Sequence, residues 1–282
     1  MTKNISLELA RTLIRLRTCT MLKARGFGHL GGAMSMVEVL SVLYFKTMKI
    51  NPEDPQWDNR DYFVLSKGHG GPSYYAALAT RGYFDPILLN TINENNTSLP
   101  SHPDRLKTVG VDATTGSLGQ GISIAAGIAK GLKIQSKPNR VYTLVGDGEC
   151  NEGQVWEAVQ FIAHNQLDNL VVFVDDNKKQ LDGFTKDINQ TFDFKEKFTA
   201  FGLFTQRVKG DDMEAIETAI NKAIESKKPS CIVLDTIKGQ GLPYFESLMD
   251  NHHIRFDETA LKALDASIDA LNQQLKEYQY ED

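Results

Sequence analysis

The stretch 146–183, GDGECNEGQVWEAVQFIAHNQLDNLVVFVDDNKKQLDG, constrains the fold more than any other. The apolar run Val141-Tyr142-Thr143-Leu144-Val145 before it reads as a strand ending in a glycine turn. Helical spacing follows over 152–165, with Val155, Trp156, Val159 and Ile162 as its apolar positions. A second β-branched run, 170–174, stops at Asp175-Asp176-Asn177. Strand, helix and strand at this spacing make a right-handed crossover between parallel strands. Asp147 and Asn177 then lie just past the carboxyl ends of two parallel strands, the edge at which open α/β sheets take ligands.

A carboxylate and an amide are both hard oxygen donors. Mg²⁺ takes octahedral oxygen ligands and keeps water or substrate phosphate in its shell. Two side chains, a backbone carbonyl from the loop after Asn177 and two oxygens of a diphosphate nearly fill such a shell. Gly146 and Gly148 leave room for a bulky anion to approach the backbone. Alone, Gly-Asp-Gly is more often a plain turn and Asp-Asp-Asn a polar strand end. One crossover apart, the pair points to a diphosphate–Mg²⁺ site.

The chain has 282 residues, long enough for one large α/β domain or two small ones. With 41% hydrophobic and 24% charged residues it has the composition of a globular protein. The formal charge of −5 argues against a general affinity for nucleic acid or an anionic membrane. No apolar run reaches the roughly 18 residues a membrane span needs. The amino terminus, MTKNISLELARTLIRLR, is amphipathic and charged, unlike a signal peptide, and Glu8 argues against a transit peptide. Cys19, Cys150 and Cys231 are widely spaced, which suggests a reducing, cytoplasmic setting and no zinc or disulfide framework.

Taken in order, the pattern predicts a helix over 5–25 that stops at Gly26, then the loop Gly28-His29-Leu30-Gly31-Gly32, then a helix over 36–45. A surface loop, 51–59, leads to a buried strand, 62–65, that ends in Ser66-Lys67-Gly68-His69-Gly70-Gly71. Pro72 suits the first turn of a helix over 73–80. A short helix over 85–94 precedes an aperiodic stretch, 95–115, that contains Ser101-His102-Pro103. TTGSLGQG, 114–121, opens a small-residue helix over 122–134, where Gly127 and Gly131 suggest close packing. The start of that helix offers free N–H groups and a positive dipole end. GSLGQG itself fails the dinucleotide spacing, since it reads G-x-x-G-x-G with no strand before it. Strands over 203–208 and 230–236 flank a helix over 213–226. Lys238-Gly239-Gln240-Gly241 closes the last strand, the loop 242–254 holds His252 and His253, and a polar helix covers 258–278. No linker or repeat interrupts the chain. The expectation is one α/β domain over 1–282, a mainly parallel sheet flanked by helices.

Of six histidines, His29, His69 and His102 lie in glycine- or proline-rich loops, and His252 and His253 share another. A single histidine is more often a surface or satisfied core residue, but scaffolded loops are where binding residues concentrate. No H-x-x-x-H or C-x-x-C pair supports zinc. Imidazoles can instead donate to phosphate and hydroxyl oxygens and move protons near neutral pH.

GDG followed by a DN pair one crossover later resembles the thiamine diphosphate fingerprint. GDGECNEGQVWEA and VDDNKKQLDG more narrowly resemble transketolase, over nearly the whole chain but only over the amino-terminal half of that family. The resemblance implies a thiamine diphosphate-binding fold with thiamine diphosphate and Mg²⁺ as cofactors. FGHLGG implies that His29 touches the donor sugar's reacting oxygens. SKGHG implies that His69 contacts the cofactor diphosphate and the substrate, and SHPD places His102 near substrate hydroxyls. TTGSLGQG implies that Gly116, Ser117 and Leu118 line the aminopyrimidine end. Gly146, Asp147, Gly148 and Glu149 belong to the cofactor-binding turn. Asp147 and Asn177 are the implied Mg²⁺ ligands, with the backbone carbonyl of Lys179 as a third, and Leu181 packs near the thiazolium. Glu152 matches a carboxylate toward a subunit interface; read alone, it is an acid at a helix N-terminus. His252, rather than His253, is the better match to the family's diphosphate and substrate histidine. Here the chain departs from the family, which usually has tryptophan or serine before that histidine and a small residue after it. Asn251 and His253 stand there instead, which bears on substrate choice. His164 matches nothing and reads as a helix-surface residue.

In the family, the glutamate that activates the cofactor and most of the arginines that hold a sugar phosphate lie in a second domain. The implied partner is a separate carboxyl-terminal subunit, in a two-plus-two heterotetramer with sites at subunit interfaces. The implied reaction moves a two-carbon ketol unit from a ketose, phosphorylated or otherwise anionic, to an aldose. The alternatives are another thiamine diphosphate enzyme, related to deoxyxylulose-phosphate synthase or to the α chain of a 2-oxo acid dehydrogenase, or a non-catalytic paralogue. TTGSLGQG, SKGHG and SHPD favour transketolase, and the intact Asp147, Asn177 and loop histidines argue against a degenerate site.

Overall fold

Helix α1, Leu7–Arg25, begins where the Ser6 hydroxyl accepts the Leu9 N–H at 3.2 Å. It ends at Gly26, whose φ of 82° lets its own N–H return to Leu22 and Lys23. Strand β1 is Phe27–Gly28, followed by α2, Gly31–Met34, and α3, Val37–Val42, which runs on into a π-helical turn, Leu43–Thr47. Strand β2, Tyr62–Leu65, precedes α4, Gly71–Arg81, with Pro72 in its first turn. Helix α5 is Gln120–Ile134, β3 Val141–Gly146, α6 Gly153–His164 and β4 Leu170–Asp176. Then come α7, Thr185–Ile188, α8, Phe194–Ala200, β5, Phe204–Lys209, α9, Met213–Ser226, and β6, Ser230–Asp235. Helix α10, Pro243–Ser247, β7, Ile254–Arg255, and α11, Glu258–Gln279, complete the chain.

This computed structural model describes residues 5–279; residues 1–4 and 280–282 of the expected domain lie outside them.

The main sheet has five strands in the order β2-β3-β4-β6-β5, every pair parallel. Strands β3 and β4 are buried along their whole length, which is why they read as unbroken apolar runs. Alternate side chains feed two cores. Tyr142, Leu144, Val171, Phe173 and Ile232 pack with α1, α3, α4 and α9. Val145, Val172, Val174, Cys231 and Val233 pack with α5, α6 and α8 on the other face. Each such side chain contributes about 1.5–3 kcal/mol on leaving water, so both faces hold the sheet.

Three expectations are corrected. A Cβ at Gly127 or Gly131 would meet nothing within 4 Å, so neither permits a close approach; the tight contact in α5 is at Gly121, where a Cβ would lie 2.5 Å from Ser66 Cα. The opening of α5 has N–H groups already spent on protein: Gly119 N–H donates to Glu149 and Ile122 N–H to the Ser66 hydroxyl. The segments around Gly28 and Ile254, read as loops, pair as an antiparallel ribbon, β1 with β7, in the register Phe27↔Arg255 and Gly28↔Ile254. That ribbon carries the His29 loop to the His252 loop, a pairing across the length of the chain that no local pattern announces.

Candidate active site

Because the sheet is parallel, the carboxyl ends of β2, β3, β4 and β6 open on one edge, and they deliver Ser66-Lys67, Asp147, Asn177 and Thr236 to Lys238 there. With the loops around His29, His102, Gly116 and His252 they enclose a cavity of about 440 Å³.

The frame of this cavity is Asp175. Its carboxylate pairs with the Lys67 ammonium, both side chains being fully buried. It also accepts from Ser35 Oγ at 2.7 Å, from Asn177 Nδ2 at 2.8 Å and from the Thr236 hydroxyl. Lys67 Nζ donates further to the Gly32 carbonyl at 2.8 Å. One satisfied ion pair thus ties the His29 loop, the His69 loop, β4 and the end of β6 together; a buried pair holds only when its remaining hydrogen-bonding positions are met in this way.

Asp147 and Lys238 are equally buried, each 2% exposed, but among the described residues neither forms an ion pair. Asp147 accepts the N–H groups of Gly148 and Lys178, both at 2.7 Å. Burial, then the neighbouring Asp175 charge, pushes its carboxyl up to about 7. Lys238 Nζ donates to the Lys179 carbonyl at 3.3 Å, the Gln180 carbonyl at 3.1 Å and His252 Nδ1 at 3.1 Å. Burial, then Lys67, brings its ammonium down to about 8. An ammonium only donates, so His252 Nδ1 accepts, and the neutral ring keeps its proton on Nε2. Asn177 spends its Nδ2 on Asp175, and its Oδ1 accepts the Lys179 N–H at 3.1 Å.

The loop histidines pack ring against ring. His29 stands 6.0 Å from His69, 5.4 Å from His102, 5.4 Å from His252 and 4.7 Å from His253, between centroids. His69 and His252 are 4.7 Å apart. Burial, then the neighbouring His253 and His102, lowers His29 to about 4. Burial, then Lys238, lowers His252 to about 3. Burial, then Lys67, holds His69 well below its ordinary range, and burial also lowers His102. His29, His69, His102 and His252 are therefore neutral imidazoles near pH 7, suited to hydrogen bonding.

Glycines let these loops touch. A Cβ at Gly32 would press on the His69 ring at 2.8 Å, and Gly116, at φ 145°, has His102 3.2 Å from where its Cβ would be.

The sequence-predicted His29, His69, His102 and His252 all line the cavity, as do Gly116, Leu118, Gly146, Asp147, Gly148, Glu149, Asn177, Lys179 and Leu181. Ser117 does not; it is exposed beside the cavity. Glu149 is engaged inward, accepting from Ser66 Oγ, Gly119 N–H at 2.8 Å and Gly146 N–H at 2.9 Å, so it braces the turn. Gly148 lines the cavity and lies against Gln180, whose Cβ is 2.8 Å from where a Gly148 Cβ would be. Glu152, exposed at the N-terminus of α6, makes no side-chain cap and also lines the cavity, while His164 is exposed at that helix's other end. Lys67, Asn151, Gln180, Asn189 and Lys238 also line the cavity, and the sequence pattern does not single them out as site residues. The signal for Lys238 was available: a lysine against glycine at the end of a parallel strand, as His69 is at the end of another. For Asn189, in a stretch with no local pattern, there was none.

The family model for transketolase, thiamine diphosphate binding domain, matches residues 7–273. The chain is 45% identical over 268 residues to the 6-deoxy-6-sulfo-D-fructose transketolase subunit SqwG of a Clostridium species, covering 95% of this chain and 98% of that one. The chain belongs to the transketolase family. A second relative is an apulose-4-phosphate transketolase subunit of Actinobacillus succinogenes, 38% identical over 80% of this chain and 82% of that protein. Among solved transketolases, that of Campylobacter jejuni superposes with a TM-score of 0.86 at 28% identity, over 95% of this chain and 43% of that one. The chain spans less than half the length of such solved transketolases, and its sheet and helices are those of their thiamine diphosphate-binding domain.

The donor chemistry fits that cofactor. A buried carboxylate without a counter-ion, next to an amide oxygen and a backbone carbonyl, suits a hard divalent cation. A buried ammonium without a carboxylate suits an anion. Among the described residues no three His, Cys, Asp or Glu side chains form a metal-holding cluster, and the Asp147–Asn177–Lys179 oxygen set is of a different kind. No helix among the described residues is long and apolar enough to cross a membrane.

Proposed function

We propose that this chain is the thiamine diphosphate-binding subunit of a two-chain transketolase that moves a two-carbon ketol unit from an anionic ketose to an aldose. One observation carries the reading: relatives called transketolase subunits match nearly end to end, while complete transketolases extend to more than twice this length. The remaining half, in this reading, is a second polypeptide that closes the cavity, in a two-plus-two cytoplasmic assembly.

Thiamine diphosphate, when bound, supplies the electron sink for making and breaking the carbon–carbon bond beside the ketose carbonyl. This chain's residues do the rest of what the cavity allows. Asp147, the Asn177 amide oxygen and the Lys179 carbonyl would hold Mg²⁺ against the diphosphate. Lys238 offsets the diphosphate charge, the neutral His69 ring donates a hydrogen bond to it, and the Nε2–H of His252 donates toward the same region. His29, neutral and central to the histidine cluster, takes or returns the proton of a substrate hydroxyl; His102 donates to a sugar hydroxyl. Partial burial of these rings lowers the local dielectric, which strengthens each hydrogen bond to the sugar.

The test is ketol transfer with thiamine diphosphate and Mg²⁺, with and without the product of a neighbouring gene resembling a transketolase carboxyl-terminal half. Xylulose 5-phosphate and 6-deoxy-6-sulfofructose serve as donors and ribose 5-phosphate as acceptor. Transfer only in the mixture is the expected result. Transfer by this chain alone, at a rate no partner improves, would remove the two-chain reading. Release of CO₂ from pyruvate would replace transketolase by a decarboxylating relative.

A further inference from the structure

Asn251 holds neither cofactor nor sugar in the proposed reaction, yet it is 1% exposed and stands where three functional segments meet. Its Nδ2 donates to the Lys238 carbonyl at 2.9 Å and to the Phe245 carbonyl at 2.8 Å. Its own carbonyl accepts the Gly31 N–H at 3.0 Å, and the Gly31 carbonyl accepts the Gly239 N–H at 3.0 Å. The loop of His29, the loop of Lys238 and the segment of His252 are thereby joined through one side chain and one glycine. Both acceptors facing the amide are carbonyl oxygens, so its orientation is decided: only the –NH₂ end can meet them. The Oδ1 end is buried with no partner, a cost the site tolerates at this position. Gly31 is equally constrained, because a Cβ there would collide with the Asn251 carbonyl oxygen and reach Lys238 Cγ at 3.0 Å.

We propose that Asn251 is a positioning residue: it registers the Lys238 ammonium and the His252 imidazole against the His29 loop. The proposal rests on the transketolase reading, in which those three groups meet the substrate and the cofactor. Asn251 touches none of the reacting groups; it acts through the backbone of Lys238 and through its chain neighbour His252. A residue that offered only bulk would leave the Lys238 and Phe245 carbonyls without their donor. The two loops would then be free to move relative to each other. Displacements of about 1 Å in a group that holds substrate cost on the order of 10²-fold in rate.

The near-isosteric variant Asn251→Leu removes both donated hydrogen bonds without adding a charge beside His252, and Gly31→Ala strains the same junction from the opposite side. The first readout needs no turnover: ¹⁵N spectra of the histidine rings followed against pH in the isolated chain. The groups that face His252 are Lys238, His29, Lys67 and His253, with the His69 ring against it. In both variants the His252 midpoint rises by about one pH unit or more, because Lys238 no longer stands against Nδ1. The second readout is ketol transfer with the partner chain, measured well below each variant's melting temperature, where kcat/KM per folded molecule falls by about 10²-fold. Should Asn251→Leu fail to fold, Gly31→Ala carries both readouts.

An unmoved His252 midpoint in a folded variant overturns the proposal. So does an unchanged kcat/KM beside an active wild type, or an activity loss that merely follows the fraction of folded protein. If the wild-type pair transfers no ketol unit, the functional reading falls, while the ring titration still decides whether Asn251 registers Lys238 with His252.

Discussion

Two buried charge couples lie side by side at the carboxyl edge of the sheet, and they are built differently. Asp175 and Lys67 are fully buried, paired with each other, and surrounded by hydrogen bonds from Ser35, Asn177 and Thr236. Asp147 and Lys238 are just as deeply placed, but neither has an ion-pair partner among the described residues, and both line the cavity. The first couple is complete within the protein and holds four segments together. The second is left incomplete, and its two departures are opposite in sense: the carboxyl is pushed up to about 7 and the ammonium down to about 8. A cation beside Asp147 and an anion beside Lys238 would reverse both. Burial alone therefore does not distinguish a structural charge from a functional one; the presence or absence of a protein counter-charge does.

The contrast between the couples breaks most visibly at Asp147. Asp147→Asn should lower ketol transfer by about 10³-fold, since a cation site is worth several kcal/mol. Its unfolding free energy at neutral pH should hold or rise, because a buried carboxyl without a counter-ion, pushed up to about 7, opposes folding there. A large loss of stability in urea denaturation would mean that Asp147 belongs to the frame after all. Asp175→Asn should show the opposite pattern. Removing that carboxylate leaves Lys67 charged and buried, and costs about 3–5 kcal/mol in the same denaturation experiment. A loss below about 1 kcal/mol would erase the distinction between the two couples.

The smallest effect concerns the histidines, which extend the comparison to groups made neutral by burial. His29, at about 4, and His252, at about 3, lie below the ordinary imidazole value near 6.5. The unfolded chain then binds more protons than the folded one between about pH 6.5 and 4. Stability is fully developed above about 6.5 and declines as pH falls through that window. In an Asp147→Asn background, which removes the opposing titration of that carboxyl, thermal melting at pH 5 should lie roughly 5 °C below that at pH 7.5. A flat or rising profile would mean that the imidazoles meet a negative charge that the cavity does not display.

Legibility followed the range of the interactions. The crossover 141–176, the pair Asp147 and Asn177 at its strand ends, and the loops carrying His29, His69, His102 and His252 were all readable, because strand, turn and helix patterns are local and a parallel sheet sends its strand ends to one edge. The helix over 213–226 matches α9 at both ends, with Asp212 capping it through the Ala215 N–H at 2.9 Å. Reading α5 went wrong where the reason was tertiary: Gly121 rather than Gly127 or Gly131 is the residue pressed against a neighbour, and which face of a glycine-rich helix meets the body is not written in its spacing. Glu149 was read with the cofactor turn, and its neighbours in sequence gave no hint that Ser66 and Gly119 would claim it.

By itself the sequence determined the fold class, the edge of the sheet where the cavity opens, and the oxygen donors Asp147 and Asn177 at that edge, since these follow from periodicity, turn chemistry and donor type. Tertiary structure alone decided which charges are paired. It set Lys67 on Asp175 and left Lys238 without a carboxylate partner among the described residues, it brought β1 against β7, and it joined the segments of His29, Lys238 and His252 through Asn251. The physical reason is that a charge or an amide is satisfied by whatever stands within about 3 Å of it. In this molecule those neighbours come from segments far away along the chain, as Gln240 does at Glu38.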